Sequence, residues 1–109
     1  MKLYFPGWLS ALMLIAVAPA AQASSRSQRA HGAEIFNTNG CLHCHAMGSQ
    51  GGHRGPNLSD AGRKIAPQAM RKQIEDGGKG MPAFRDVIEP KDIDDLIAYL
   101  RSCKAKFPN

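Results

Sequence analysis

The spacing of apolar residues along this chain predicts helices. Near the C-terminus, four apolar residues recur at the i, i+3, i+4, i+7 spacing of one helical face: Ile93, Leu96, Ile97 and Leu100. Pro90 suits the first turn, so a helix is predicted from about Pro90 to Lys104. No run alternates apolar and polar residues between hairpin turns, as a half-buried strand would. The pattern therefore indicates an all-α fold.

Two earlier helices are predicted, over 29–37 and 67–76. Pro67 suits the start of the second helix, and the glycine pair that follows residue 76 suits its end. In the first helix, Gly32 lies one turn before Phe36 on the same face. Glycine costs about 1 kcal/mol relative to alanine inside a helix, so we expect a close contact with another helix to compensate.

Glycine and proline mark two surface loops, over 47–57 and 79–84. The segment between the first loop and the second helix, 59–65, is ambiguous. A short helical turn is one possibility there, with Leu58 and Ile65 facing inward. The chain is thus predicted to contain three or four helices.

The most specific chemical signature is Cys41-Leu42-His43-Cys44-His45. Its form, Cys-x-x-Cys-His, is the attachment motif of a c-type haem. On a helical turn, residues three apart lie side by side, so both thiols can bond to the two vinyl groups of one haem edge. His45 follows at once and can reach the iron.

Two other uses of a Cys-x-x-Cys pair were considered. Half of a zinc site would need two further ligands at a similar spacing, and the sequence contains none. A thioredoxin-like redox pair would need a β-α-β setting, and no strand pattern surrounds the motif. One covalent haem c, with its iron, is therefore the favoured interpretation.

The first 23 residues have the features of a secretory leader. Lys2 is the positive residue, an apolar run covers 9–18, and Ala21-Gln22-Ala23 has the small-x-small form of a cleavage site. An uncleaved anchor is the alternative, but a bilayer span needs about 20 apolar residues and this run is shorter. We expect cleavage after Ala23, export to the periplasm and no membrane span in the mature chain.

The remainder is predicted to form one domain. Residues 24–30 are polar and suggest a flexible tail, 31–105 form the domain, and 106–109 a short C-terminal tail. So small a domain is near the lower limit for a self-sufficient core. A covalently held haem would enlarge that core, because its apolar plate offers surface to pack against.

The charge is mildly basic, with 14 Lys and Arg against 9 Asp and Glu and a formal net charge of +5. The positive residues are scattered and no aromatic residues are interleaved with them, which argues against nucleic acid. A basic rim that docks acidic redox partners is a better interpretation, since such charges raise encounter rates. A merely solvated basic surface is an equal alternative.

The iron face opposite His45 needs a ligand or stays open. Met81 lies in the second glycine- and proline-rich loop, and a thioether on the iron would raise the reduction potential. Met47 is too close to His45 in sequence to pass around the macrocycle, and Met70 is expected in the core. His53, in the first glycine loop, remains the rival ligand.

Four motifs occur in the order of a known family: Cys41–His45, Gly55–Leu58, Met81–Phe84 and Leu96–Leu100. With them the chain resembles a class I cytochrome c, in particular the small bacterial members, over about 32–104. The resemblance implies the cytochrome c fold, in which three to four helices wrap around one covalently attached haem.

The resemblance also implies roles for individual residues. Cys41 and Cys44 would bind the haem covalently, and His45 and Met81 would be the axial iron ligands. The carbonyl of Pro56 would accept the other ring N–H of His45, which fixes the orientation of the imidazole.

Two further contacts are implied by the same resemblance. Arg63 would lie near a haem propionate. Gly32 and Phe36 would cross Leu96 and Tyr99 of the last helix, which would account for the glycine.

Cys103 departs from the family pattern. It lies on the apolar face of the last helix, so a buried small hydrophobe is the preferred interpretation, and a disulfide-linked dimer is the alternative. A monomer is expected.

The leading functional hypothesis is a periplasmic one-electron carrier that is not an enzyme, because a six-coordinate His/Met iron has no open site. Its partners would be a dehydrogenase or cytochrome complex on one side and an oxidase or reductase on the other. A dedicated haem subunit of a periplasmic dehydrogenase or oxidoreductase complex is the alternative. An enzyme or gas sensor with a labile Met81 is the third.

Overall fold

The computed structural model describes residues 2–3 and 20–105. The predicted leader, 1–23, lies mostly outside the described residues, and the C-terminal tail, 106–109, lies wholly outside them. Helices dominate the described part, which also contains one small hairpin. The elements in chain order are α1 (Ala20–Thr38), a 3-10 turn (Cys41–His43), β1 (Ala46–Met47), β2 (Gln50–Gly51), α2 (Ala61–Lys64), α3 (Pro67–Asp76) and α4 (Pro90–Ser102).

The crossing of α1 and α4 is the centre of the fold, and Gly32 makes it possible. A Cβ atom on Gly32 would lie 2.0 Å from the carbonyl oxygen of Asp95 and 2.8 Å from Cβ of Tyr99. One turn later, the ring of Phe36 packs against that of Tyr99, with centroids 5.6 Å apart and planes tilted by 60°. The predicted close contact that compensates the helical glycine is therefore confirmed.

The core lies where α3 and the segment before α2 close onto this crossing. Phe36, Ile93 and Leu96 are the largest side chains that are fully buried. Met70 is only 4% exposed, so its expected place in the core is confirmed. The other buried members of the cluster are Ile35, Leu58, Ala61, Ile74, Ile88, Ile97 and Leu100.

The start of α1 differs from the prediction. The helix begins at Ala20 and not near Arg29, so residues 24–30, expected to form a loose tail, are helical. Serine, glutamine, arginine and alanine tolerate helix well, and elongation from a packed segment is much easier than nucleation. The guanidinium of Arg29 also donates to Oγ of Ser25, at 3.2 Å, across one turn.

A small antiparallel hairpin was not predicted. It pairs Ala46 with Gly51 and Met47 with Gln50, and its turn contains Gly48 at a φ of 62°. Strands of two residues are too short to show alternation, which is why the sequence pattern did not reveal them. Among the described residues, no helix has both the length and the apolar content required to cross a bilayer.

Candidate functional site

The Cys-x-x-Cys-His motif forms one tight turn. Gly40 precedes the motif in the left-handed conformation, at a φ of 73°, and separates it from α1. The amide of Cys44 then donates to the carbonyl of Cys41 at 3.2 Å, and the amide of His45 donates to the same oxygen at 2.9 Å. The two thiols and the imidazole therefore come from a single helical turn.

The imidazole of His45 is held by the segment that follows the hairpin. Its Nδ1 lies 2.8 Å from the carbonyl oxygen of Pro56. Since a carbonyl only accepts, Nδ1 carries the proton in this contact and Nε2 keeps its lone pair. Gly55 lies against the ring, because a Cβ there would come within 2.6 Å of Cε1 of His45.

Backbone hydrogen bonds fold the loop onto the motif. The amide of Gly52 donates to the carbonyl of Leu42 and that of Gly55 to the carbonyl of Cys44, both at 2.8 Å. A Cβ on Gly52 would lie 2.2 Å from the carbonyl oxygen of His43, so this approach also requires glycine. These contacts hold the loop against the turn.

Asn57 and Ser59 are two polar residues that hold this loop, and neither was assigned a role from the sequence. Oδ1 of Asn57 accepts from the amide of Ser59 at 2.9 Å and from its Oγ at 2.6 Å. The same Oγ accepts from the amide of Gly48 at 2.7 Å, and Ser59 is only 4% exposed. The Asn-x-Ser spacing is typical of an Asx turn and would have been the way to find them.

Met81 follows an unusually twisted turn at the end of α3. Gly78, Lys79 and Gly80 have positive φ values of 110°, 56° and 87°. The amide of Gly78 donates to the carbonyl of Met81 at 2.9 Å, and the amide of Met81 donates back at 3.0 Å. Positive φ is easy for glycine and uncommon for other residues, so Gly78 and Gly80 permit this shape, and Lys79 adopts it between them.

Gln73 connects α3 to the same loop. Its Nε2 donates to the carbonyl of Gly78 at 3.3 Å and lies 3.7 Å from Sδ of Met81. The amide of Phe84 returns to the carbonyl of Ile74 at 2.9 Å. The half-buried thioether of Met81 is therefore held from both ends of the loop.

Ion pairs attach Arg85, which follows the Met81 loop, to α3. Arg85 contacts the carboxylates of Glu75, at 3.3 Å, and Asp76. Lys72 also pairs with Asp76, at 3.0 Å. The hydrogen bond from Arg85, followed by that from Lys72, lowers the pKa of Asp76 below its ordinary value of 3.8.

The half-buried apolar side chains in and near the Cys-x-x-Cys-His turn and the Met81 loop form an apolar border. The chemistry of this region fits a covalently attached haem. It combines two thiols on one turn, which are not paired in a disulfide, with an imidazole whose orientation is fixed and whose Nε2 stays available. Burial raises the pKa of the Cys41 thiol. The half-buried side chains that pack against the core include Cys41, Leu42, Met47, Ile65, Met81 and Phe84.

The structure does not bring every sequence-predicted residue to this border. Arg63, in the last turn of α2, is exposed, and its guanidinium lies 3.4 Å from the carboxylate of Asp60. His53, the rival ligand, is exposed in the loop.

Cys103 is half-buried, which corrects the expectation of full burial. α4 ends at Ser102, so Cys103 has left the helical face. Its Sγ lies 3.4 Å from the carbonyl of Tyr99, and burial raises the pKa of the thiol.

Comparison with known proteins agrees with this site. The family described as "Cytochrome C oxidase, cbb3-type, subunit III" matches residues 27–100. The cytochrome c subunit of a menaquinol:cytochrome c reductase from Bacillus subtilis is 34% identical over 71% of this chain and 29% of its own length. Cytochrome c6 from Nostoc sp. is 32% identical over 64% of this chain and 66% of its own length.

A solved structure shows the same fold. The c-type cytochrome SorU from Sinorhizobium meliloti superposes with a TM-score of 0.63, covering 77% of this chain and 99% of that chain at 24% identity. Fold and motif define a small class I c-type cytochrome. The chain belongs to the c-type cytochrome family that the matched description names. It carries a covalently bound haem c with its iron and takes part in electron transfer.

Three of the relatives are much longer than this chain. The match covers 29% of the menaquinol:cytochrome c reductase subunit, 25% of a cytochrome c oxidase subunit 2 from Alkalihalophilus pseudofirmus and 28% of the cbb3-type oxidase subunit FixP from Sinorhizobium medicae. Their names are those of a reductase subunit and two oxidase subunits. The similarity covers less than a third of each of these relatives.

Proposed function

We propose that this protein is a periplasmic one-electron carrier whose haem iron is ligated by His45 and Met81. The observation that carries the proposal is the 2.8 Å contact between Nδ1 of His45 and the carbonyl of Pro56. It orients the imidazole and leaves Nε2 as the nitrogen for the iron, which is the arrangement that metal-bound histidines use.

The residues of the turn divide the work of holding the cofactor. Cys41 and Cys44 form the two thioether bonds, and Gly55 leaves room for the imidazole of His45. When bound, the haem supplies an iron that alternates between Fe(III) and Fe(II). The exposed guanidinium of Arg63, shared with Asp60, is available to a propionate.

Met81 is the better partner for the second face. The turn of positive-φ residues and the contact from Gln73 hold its sulfur at the half-buried border, whereas His53 is exposed. With His45 and Met81 as ligands, the iron would have no open position for a substrate. Electron exchange with partner proteins then remains, and we propose that it is the whole function, without catalysis.

The partners are proposed to be redox proteins with acidic docking faces. Without Lys2 of the leader, 13 Lys and Arg against 9 Asp and Glu leave a formal net charge of +4 before the haem propionates subtract, and complementary charge accelerates encounter. Export across the inner membrane is supported by the leader-like residues 1–23. Fractionation of the source cells tests the location, since a cytoplasmic haem-loaded protein would contradict it.

A permanent subunit of a respiratory or dehydrogenase complex is the second candidate. The names of the three longer relatives favour it, because each of them is a complex subunit. Purification of the native protein under mild conditions separates the two. A free monomeric cytochrome supports the diffusible carrier, and stable co-purification with one enzyme supports the subunit.

The absorption spectrum of the oxidised, haem-loaded protein tests the ligation. A long-wavelength sulfur-to-iron charge-transfer band is expected for the native protein. It should vanish in Met81→Ala and persist in Met47→Ala, a matched control because Met47 is also half-buried at the border. If Met81→Ala keeps the band, Met81 is not the ligand.

Binding of carbon monoxide tests the third possibility, an enzyme or a gas sensor. The ferrous native protein should not bind it readily at neutral pH, whereas Met81→Ala should. Rapid binding by the native protein would mean that the sixth position is open.

A further inference from the structure

Three potential metal ligands meet where α1 crosses α4, and none of them belongs to the proposed haem site. Nδ1 of His31 lies 2.8 Å from Oδ2 of Asp95 and 4.0 Å from Oδ1 of Asp92. One donor atom from each residue lies within 4.8 Å of the other two. Two helices thus present one imidazole and two carboxylates to a common point.

The buried Asp95 carboxylate still needs a hydrogen-bond donor or a cation. The residue is only 3% exposed, and its Oδ1 has no hydrogen-bond partner among the described residues. The contact between Gly32 and the Asp95 backbone brings α1 close to this position. A buried carboxylate oxygen without a partner is costly, so a ligand that binds this group would be strongly favoured.

The nearby charges attract a cation. The carboxylates of Asp92 and Asp95 both lie beside His31. Glu34, on the same helix as His31, lines the adjoining cavity. Lys91 is the rival cation, at 3.7 Å from Oδ2 of Asp95, but its side chain is 80% exposed.

A cavity of about 250 Å³ adjoins the cluster and would give a metal access and space for water ligands. His31 and Asp92 line it, together with the acidic residues Glu34 and Glu89. A cation that entered here would meet acidic side chains before it reached Asp95. The buried carboxylate would be the innermost ligand.

We propose that His31, Asp92 and Asp95 form a binding site for a divalent transition-metal ion, with Zn²⁺ the best fit. Nitrogen and carboxylate oxygen are ligands that Zn²⁺ accepts, with bonds of about 2.0–2.2 Å that place tetrahedral ligands roughly 3.3 Å apart. The separations of 2.8 Å and 4.0 Å lie on either side of that value. The ion would replace the direct His31–Asp95 contact and tie α1 to α4.

The test uses the haem-loaded protein after treatment with a chelator. Calorimetric titration with Zn²⁺ should show one equivalent bound, and saturating Zn²⁺ should raise the unfolding temperature. His31→Ala removes one ligand and Asp92→Asn removes one carboxylate charge, so each should weaken binding by more than about tenfold. Both positions are solvent-accessible, so the haem absorption spectrum should stay unchanged and show that the variants fold.

Asp94→Asn is the matched control. Asp94 lies on the same helix between two of the ligands, but its carboxylate contacts Arg71. The Asp94→Asn variant should bind Zn²⁺ as tightly as the native protein. The proposal is overturned if the native protein binds no Zn²⁺ at millimolar concentration. It is equally overturned if His31→Ala and Asp92→Asn bind as tightly as Asp94→Asn, because the ion would then lie elsewhere.

Discussion

The imidazole of His45 lies directly against Gly55, where a Cβ would come within 2.6 Å of Cε1 and 2.7 Å of Nδ1. The ring has little room to move away, since Nδ1 is also held by the carbonyl of Pro56. The backbone of the loop, and not only the motif, therefore sets where the proposed iron ligand points.

Gly55→Ala is expected to displace the imidazole. The added methyl group must push the ring or the loop aside, an overpacking change that typically costs about 1–3 kcal/mol. The oxidised protein should show a larger high-spin fraction in its absorption spectrum and a lower free energy of unfolding in urea. Ser49→Ala, an exposed change in the preceding hairpin turn, is the control and should do neither. A native spectrum in Gly55→Ala would show that the loop adapts freely.

Gln73→Leu is expected to lower the reduction potential. The side-chain amide lies 3.7 Å from Sδ of Met81, where a donated N–H draws electron density from the sulfur and so favours Fe(II). The fall should stay below roughly 59 mV, which corresponds to tenfold in a one-electron equilibrium. Equilibrium redox titration measures it.

Gln68→Leu provides the comparison, because this glutamine is an exposed residue of the same helix. The reduction potential of Gln68→Leu should equal that of the native protein. An equal shift in both variants would mean that a general change of surface polarity, and not the contact with Met81, sets the effect.

Gly32→Ala is expected to destabilise the fold although alanine is the better helix former. The methyl group would meet the carbonyl oxygen of Asp95 at 2.0 Å, and relief of that clash would separate α1 from α4. We expect a net loss of about 1–3 kcal/mol in the free energy of unfolding. Urea unfolding followed by helical circular dichroism measures it.

Ala30→Gly calibrates the propensity effect at an exposed position of the same helix. It should cost about 1 kcal/mol through helix propensity alone. A stabilising Gly32→Ala would contradict the close helix crossing.

The Asp76 carboxylate should make the stability of the Met81 loop depend on acid pH. Its folded-state pKa lies below the ordinary 3.8, because Arg85 and Lys72 favour the charged form. Its contribution is therefore complete above 3.8 and disappears as the pH falls through the lower, folded value. Asp76→Asn should be less stable than the native protein at pH 7, and the difference should shrink as the pH falls below 3.8.

Urea unfolding of both proteins across the acid range gives the comparison. Asp86→Asn serves as the control, since Asp86 is an exposed carboxylate just after Arg85. A difference between native protein and Asp76→Asn that stays constant with pH would show that the ion pairs contribute nothing through Asp76.

Much of the fold followed from periodicity. The boundaries of α3 agree with the prediction, and α4 ends two residues early, at Ser102. Both helices begin at a proline and carry a regular apolar face, so local rules suffice. α1 was predicted too short because its polar first half has no apolar period. The hairpin was missed because two-residue strands give no pattern.

For the site, the sequence by itself determined the chemistry. The Cys-x-x-Cys-His motif needs only one helical turn, so its three side chains come together wherever the motif folds. The glycines before Met81 likewise permit a turn of positive φ, in which Lys79 between them also takes part. These are local properties, and neighbouring residues specify them.

Only the tertiary structure decided which distant groups support that chemistry. Three contacts illustrate this point: His45 with Gly55, Gln73 with Met81, and His31 with Asp95. Each contact joins residues that are far apart along the chain or lie in different elements. Such contacts depend on how helices and loops pack, and the buried surfaces that fix the packing are shared by the whole domain. No local pattern contains that information.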